Sequence, residues 1–78
     1  MGENSIRVAI RTEFIPLDAF LKWAGALDTG GMAKRVIVDG FVAVNGEVCR
    51  ARGRKLRPGD RVSFDGKEYL VCAEEAAP

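Results

Sequence analysis

The sequence predicts an α+β fold in which two helices pack on a small, mostly antiparallel sheet. Three observations lead to this prediction. The chain has 78 residues, which is enough for one hydrophobic core but not for two. Two segments before residue 41 carry apolar residues at helical spacing, whereas the remainder contains short apolar segments joined by Asn-Gly and Asp-Gly pairs. Such pairs are typical of tight turns between antiparallel strands, so hairpins are expected after the helices.

One strand and one helix are predicted before residue 26. Apolar residues alternate with other residues from Ser5 to Ile10, as in a half-buried strand. Pro16 is expected to open the helix, because a proline at the first helical position loses no helical hydrogen bond. Four apolar residues follow at the spacing of one helix face, and Gly25 is expected to end the helix. These four residues are Leu17, Phe20, Leu21 and Ala24.

A second helix is predicted between residues 28 and 40. Asp28 or Thr29 is expected to cap its first turn. Gly30 and Gly31 begin the helix, and Gly40 has the position of a residue that ends one. The apolar stripe of this helix comprises Met32, Ala33, Val36 and Ile37.

Four short strands are predicted after the second helix. They comprise residues 41–44, 47–49, 61–64 and 67–73, with tight turns at 45–46 and 65–66. Residues 50–55 are too charged for a buried strand, so a loop or a frayed edge is expected there, followed by a turn at 56–60. Residues 1–78 are interpreted as one domain, with a core of about residues 5–73 and flexible tails at 1–4 and 74–78.

Most aromatic side chains are expected in the core. They are Phe14, Phe20, Phe41, Phe64 and Tyr69. Trp23 lies beside the apolar face of the first helix, so it is expected in the core or at its edge rather than stacked on a nucleobase. No long apolar stripe is expected to remain on the surface once the core is assigned, and a monomer is therefore expected.

The charged residues are unevenly distributed along the chain. The net charge is +1, yet residues 34–61 contain eight of the 12 basic residues and three of the 11 acidic residues, a local charge of +5. Six of the basic residues, five of them arginines, lie between Arg50 and Arg61. A basic segment of this kind indicates either a surface that binds a polyanion or a solvated loop that aids solubility. Arginine is well suited to bidentate phosphate recognition, which favours binding.

Composition argues against several classes of function. The chain contains no histidine, which removes the usual general base and the commonest metal ligand. Cys49 and Cys72 do not have the spacing of a zinc site or a redox pair. The longest segment without a charge is only Gly40 to Gly46, so no membrane span is expected. The N-terminus lacks the pattern of an export signal, which favours a cytoplasmic protein with reduced thiols. No nucleophile stands next to a plausible base in the sequence, so a non-catalytic protein without cofactor or metal is expected.

One ordered set of short segments is distributed between residues 17 and 62. It comprises Leu17–Gly25, Thr29–Lys34, Ile37, Gly40, Val42–Gly46 and Arg52–Val62. At these spacings the set resembles the S4 RNA-binding domain, and the resemblance extends from about residue 13 to residue 72. The chain looks most similar to the small stand-alone S4 proteins of bacteria, the YbcJ/YaaA-like group. The Thr-Gly-Gly start of the second helix and the Gly-Arg-Lys-Leu segment at residues 53–56 carry this narrower resemblance.

The resemblance implies two helices on a bent sheet (an S4/αL-type domain), in which the helix pair and the following hairpin loop form a basic surface that binds structured RNA. By position, the RNA-binding residues are Lys22, Thr29, Gly30, Gly31, Lys34, Arg35, Arg50, Arg52, Arg54, Lys55 and Arg57. Many S4 domains have an arginine where this chain has Gly30. Backbone N–H groups of the two glycines could replace that phosphate contact. Alternatively, the two glycines only form a tight turn between the helices. If residues 50–54 are extended, the arginines at 50, 52 and 54 lie on one side, about 6.6 Å apart.

The expected function is binding of ribosomal RNA, a ribosomal particle or tRNA as a non-catalytic accessory factor. Since few aromatic side chains are expected to be exposed, recognition of RNA shape and phosphates is expected rather than stacking of single-stranded bases. One alternative is a protein-interaction module that uses the same arginine-rich loop on an acidic partner. A β-grasp sulfur carrier is less consistent, because those carriers need a C-terminal Gly-Gly and this sequence ends in Ala76-Ala77-Pro78.

Overall fold

The computed structural model describes residues 5–74, which contain seven strands and two helices. They are β1 (Ser5–Ile10), β2 (Ile15–Pro16), α1 (Leu17–Trp23), α2 (Gly30–Val38), β3 (Val42–Val44), β4 (Glu47–Val48), β5 (Lys55–Leu56), β6 (Arg61–Phe64) and β7 (Lys67–Ala73). The tails predicted at 1–4 and 74–78 lie outside the described residues, except for Glu74. Glu74 continues from β7, and its N–H donates to the carbonyl of Ile10 at 2.9 Å.

The strands form one five-stranded sheet and one separate pair. The five-stranded sheet has the order β1-β7-β6-β3-β4. β1 and β7 are parallel, with Val8 opposite Val71, and the other neighbours are antiparallel. The prediction of an α+β fold with a mostly antiparallel sheet is therefore confirmed. The antiparallel pair of β2 and β5, in which Ile15 lies opposite Leu56, is not predicted by the sequence patterns.

Both hairpin turns form where the sequence predicts them. Asn45 and Gly46 have φ values of 53° and 87°, and Asp65 and Gly66 have φ values of 55° and 76°. A positive φ at both central residues matches the twist of the flanking strands, and asparagine, aspartate and glycine tolerate it best. These turns therefore set the register of the β3–β4 and β6–β7 hairpins.

The two helices pack with the sheet in a single core. The buried residues of the helices are Leu17, Phe20, Leu21, Ala33 and Ile37. The strands and loops contribute Val8, Ile10, Val42, Val44, Cys49, Leu56, Val62, Tyr69 and Val71 to the same cluster. The rings of Phe20 and Tyr69 meet edge to face, with their centroids 6.3 Å apart, a favourable aromatic geometry. This contact joins α1 to β7 at the centre of the domain.

The ends of the helices follow from local capping. α1 begins at Leu17, one residue later than predicted, with Pro16 as its N-cap. Of the two predicted caps of α2, Thr29 is the one that forms: its Oγ1 accepts from the N–H of the third helical residue at 3.1 Å. Gly25 and Gly40 follow the two helices with φ values of 78° and 88°, as expected for glycines that end a helix.

The prediction that most aromatic side chains are buried is partly wrong. Phe20 and Tyr69 are buried, Phe14 and Phe64 are half-buried, and Phe41 is 67% exposed. Phe41 directly precedes the buried Val42. Because successive side chains along extended backbone point to opposite faces, its ring is turned away from the core.

Some large apolar side chains of residues 5–74 remain on the surface. The exposed ones are Ile6, Trp23, Met32, Val38, Phe41 and Val48. Met32, expected on the apolar stripe of α2, is rotated by about 100° from the buried Ala33 around the helix, and 49% of it is exposed. The exposed apolar residues are distributed over β1, α1, α2, the segment before β3, and β4, and the monomer stays a prediction.

The helices, the acidic residues and the cysteines of residues 5–74 bear on membrane, metal and redox roles. No helix there is long and apolar enough to cross a membrane. No group of three or more His, Cys, Asp or Glu residues in that range is placed to hold a metal ion. Cys49 and Cys72 are free thiols, and β3 and β6 lie between β4, which Cys49 follows, and β7, which contains Cys72.

Candidate functional site

The basic loop, residues 50–57, is held against the start of α1 by main-chain hydrogen bonds. The N–H of Leu17 donates to the carbonyl of Arg54 at 2.8 Å, and the N–H of Asp18 donates to the carbonyl of Arg52 at 3.1 Å. The first N–H groups of a helix have no helical partner, and Pro16 provides no side-chain cap for α1. Carbonyls of the basic loop satisfy these groups instead. The loop backbone therefore has a defined position relative to α1.

Within the basic loop the chain turns rather than running extended. The N–H of Arg54 donates to the carbonyl of Ala51 at 3.0 Å, which closes a turn at Arg52 and Gly53. The regular row of Arg50, Arg52 and Arg54 that an extended segment would give does not form. The physical reason is the bonding to α1, because two loop carbonyls must both reach N–H groups at the helix start.

Arg52 has an acidic neighbour at the start of α1. Its Nη1 lies 3.9 Å from Oδ2 of Asp18, whose side chain is largely buried. Asp18 is in the first turn of the helix, where the helix dipole favours a negative charge. Arg52 therefore helps to attach the basic loop to α1.

Arg50 packs against the end of α2. A Cβ added to Gly40 would lie 2.7 Å from Nη2 and 3.0 Å from Nε of Arg50. Gly40 thus meets two requirements, the positive φ of a residue that ends a helix and the close approach of the guanidinium. A positive charge beside the C-terminal end of a helix is favoured by the helix dipole. Arg50 therefore lies apart from the other arginines of the basic loop.

Lys55 and Arg57 share the ring of Phe14. Nζ of Lys55 lies 4.9 Å, and Cζ of Arg57 5.9 Å, from the centroid of that ring. Both distances are within the range of cation–π contacts. The contact follows from the pairing of β2 with β5, in which Pro16 lies opposite Lys55 and Ile15 lies opposite Leu56. Continuing this register brings Phe14 opposite Arg57.

The start of α2 leaves two backbone N–H groups without a helical partner. They belong to Gly30 and Gly31, since the Thr29 cap takes the N–H of the following residue. A Cβ added to Gly30 would meet nothing within 4 Å, and one added to Gly31 would meet only Oγ1 of Thr29 at 4.0 Å. Neither glycine has a positive φ. The fold therefore does not require glycine at these two positions, and the backbone there is open to a ligand.

The remaining predicted cations lie on the helices. Lys34 and Arg35 are exposed on α2, where Nε of Arg35 is 3.7 Å from Oδ2 of Asp39. Lys22 is exposed in the last turn of α1. Because α1 packs against α2, these three cations belong to one helical layer.

The predicted residues do not converge on one point. Thr29, Gly30 and Gly31 lie at the start of α2, whereas Arg50 lies at its end. α2 has nine residues, so these two places are about 14 Å apart along the helix axis. The rest of the basic loop lies at the start of α1. The structure thus distributes the predicted residues over several parts of the domain.

Most of the predicted cations have no carboxylate close to them within the part of the chain that the structure describes. Ion pairs in residues 5–74 join Arg11 to Glu74, Arg35 to Asp39 and Arg52 to Asp18. Six predicted cations have no such neighbour in this range: Lys22, Lys34, Arg50, Arg54, Lys55 and Arg57. Positive charge that is not neutralised within the fold attracts polyanions.

Trp23 forms one wall of a shallow groove. Trp23 is 52% exposed, and its Nε1 donates to the carbonyl of Ala9 at 2.8 Å. This position agrees with the prediction of packing at the core edge. The groove has a volume of about 270 Å³, and its other walls are Ile10, Arg11, Thr12 and Ile15.

Comparison with known proteins agrees with the resemblance found in the residues. The family model described as S4 domain matches residues 8–72. The "Probable ribosome maturation protein RlbA" of Bacillus subtilis (strain 168) is 46% identical over 59 residues, which are 76% of this chain and 83% of the relative. The match therefore spans most of both proteins. The predicted resemblance is confirmed, and the chain belongs to the S4 domain family.

Proposed function

We propose that this protein binds structured RNA, in the form of ribosomal RNA, a ribosomal particle or tRNA, as a non-catalytic accessory factor. The basic loop carries the proposal, because its backbone is fixed on α1 while Arg54, Lys55 and Arg57 have no carboxylate within 4 Å among residues 5–74. A loop that is ordered before binding loses less conformational entropy when it meets its ligand. Membership of the S4 family, and the ribosome maturation named for the relative, support this class of partner.

Phosphate contacts supply most of the binding energy in this proposal. The cations of the basic loop and of the helices replace counterions along the RNA backbone. At the start of α2, the N–H groups of Gly30 and Gly31 donate to a phosphate oxygen, which the positive end of the helix dipole favours. Contacts spread over a surface suit recognition of RNA shape. A ribosomal or tRNA partner also places the protein in the cytoplasm.

A protein partner is the second candidate, because apolar side chains flank Arg50. Phe41 is 67% and Val48 is 62% exposed. Ala43 lies opposite Val48 in the β3–β4 pair, so the alternation of side chains places Phe41 and Val48 on the same face of the sheet. Exposed apolar patches mark protein interfaces. Treatment with nuclease separates the two candidates, since a complex held by RNA is lost and a direct protein complex persists.

The test of the proposal is binding to folded RNA as a function of salt. Wild type and the double variant Lys34→Gln, Arg54→Gln are titrated against folded ribosomal RNA and against a duplex DNA of matched length. Neither side chain has an ion-pair partner in residues 5–74. If each contacts one phosphate, the slope of log K against log salt falls in magnitude by about 1.4–1.8. Affinity for the RNA then falls about tenfold.

The matched control removes the same charge outside the proposed surface. Arg7→Gln with Lys67→Gln changes two exposed residues of β1 and β7. We expect this variant to bind RNA within about twofold of wild type, because a general change of net charge acts weakly at physiological salt. Equal losses in the two variants, or a wild type that prefers DNA or ignores RNA at low salt, would contradict the proposal.

A further inference from the structure

We propose that Phe14 is a positioning residue, whose ring holds Lys55 and Arg57 side by side so that both contact the same stretch of RNA phosphate backbone. The inference rests on the proposed RNA-binding function. It adds to that surface a residue that the S4 resemblance does not imply.

The geometry places two cations on one ring. Nζ of Lys55 and Cζ of Arg57 both lie within 5.9 Å of the Phe14 centroid. They are two residues apart in the chain, on either side of the buried Leu56. Because alternate residues of an extended segment point to the same face, both side chains turn away from the core. Both side chains reach the ring of Phe14.

The position of the ring is itself determined by the fold. Oγ1 of Thr12 donates to the carbonyl of Phe14 at 2.6 Å, and β2 begins with the next residue. The β2–β5 pairing then fixes the register between this segment and the basic loop. Phe14 is half-buried, and the two cations lie over its ring.

The electrostatics of the cluster favour an anion. Two positive charges next to each other repel, and the negative face of an aromatic ring offsets part of this repulsion. Neither Lys55 nor Arg57 has a carboxylate within 4 Å among residues 5–74. Long cationic side chains lose rotamer freedom on binding, and a ring that restricts them beforehand reduces this loss. Lys55 and Arg57 are therefore expected to bind phosphate groups, whose negative charge neutralises the two cations.

The experiment compares Phe14→Leu with Phe14→Tyr. Leucine keeps an apolar side chain at the half-buried position but removes the ring, whereas tyrosine keeps the ring. We expect Phe14→Leu to weaken binding to folded ribosomal RNA about fivefold, the factor that corresponds to one exposed cation–π contact. Phe14→Tyr should bind within about twofold of wild type. In the background Lys55→Gln, Arg57→Gln, Phe14→Leu should have no further effect on RNA binding.

A second measurement does not depend on RNA. In the NMR spectrum of the wild type, the ring current of Phe14 should shift the side-chain CH₂ protons next to the charged groups of Lys55 and Arg57 upfield. Thermal unfolding of each variant shows that it is folded at the assay temperature. If Phe14→Leu does not fold, the wild-type shifts and the tyrosine variant decide the matter, and unshifted protons overturn the proposal.

The outcomes separate this inference from the proposed function. If the Lys34→Gln, Arg54→Gln variant loses RNA affinity while Phe14→Leu does not, the RNA-binding function stands and the role of Phe14 is refuted. The role is also refuted if Phe14→Tyr binds as weakly as Phe14→Leu, or if Phe14→Leu weakens binding equally in the background without the two cations. A wild type that does not bind RNA overturns both.

Discussion

Replacing Gly40 by alanine removes the space that the guanidinium of Arg50 occupies at the end of α2. The alanine would have to adopt a φ of 88°, which costs about 1–2 kcal/mol for a residue with a Cβ. Its Cβ would also lie 2.7 Å from Nη2 of Arg50, so the guanidinium has to move away. We expect this displacement to cost a further ~0.3–1 kcal/mol, the magnitude of the interaction between a cation and the C-terminal end of a helix.

Gly25→Ala is the matched control, because Gly25 also has a positive φ and a Cβ there would meet nothing within 4 Å. Thermal and urea unfolding, followed by circular dichroism, give the free energies of unfolding. Each kcal/mol lowers Tm by about 4–8 °C in a domain of this size. The excess cost of Gly40→Ala over Gly25→Ala should vanish when Arg50 is also replaced by alanine. Equal costs in the wild-type background, or an excess that persists without Arg50, would refute the contact.

Three further predictions concern α1 and α2. Thr29→Ala should lower the free energy of unfolding by about 1 kcal/mol in urea denaturation and Thr29→Ser by much less; equal losses would show that the hydroxyl does not cap α2. Gly30→Ala with Gly31→Ala should raise that free energy by up to about 1 kcal/mol per residue and weaken RNA binding, so a variant that binds more tightly contradicts the proposed backbone contact. Trp23→Phe should cost about 1 kcal/mol through loss of the hydrogen bond to Ala9, and rapid exchange of the wild-type indole proton would show that this bond is absent.

Local signals made much of the fold predictable. Asn45-Gly46 and Asp65-Gly66 specify their turns because few other residues tolerate a positive φ at both central positions. Thr29 specifies the start of α2 because its hydroxyl satisfies an N–H one turn ahead. In each case the residues that determine the conformation are neighbours in the sequence.

The features that were not predicted depend on residues distant in the sequence. The short β2–β5 pair joins Ile15 to Leu56, and two residues on each side give no periodicity to detect. The sequence suggests a regular row of arginines in the basic loop, but the hydrogen bonds to α1 impose a turn there. The exposure of Phe41 could not be found from hydrophobicity, which does not say on which side of the sheet a residue lies. The contact of Phe14 with two cations depends on the same unforeseen pairing.

The parallel pair of β1 and β7 has a consequence for folding during synthesis. Every residue of β1 lies opposite one that is 63 positions later, as Ser5 does opposite Glu68. At about 5–20 residues per second, β1 waits roughly 3–13 seconds for its partner to be translated. The contacts of α1 with α2 and of β3 with β4 join residues that are closer in the chain, so they close shorter loops. β1 therefore has no strand to pair with until β7, the last of the described strands, has been synthesised.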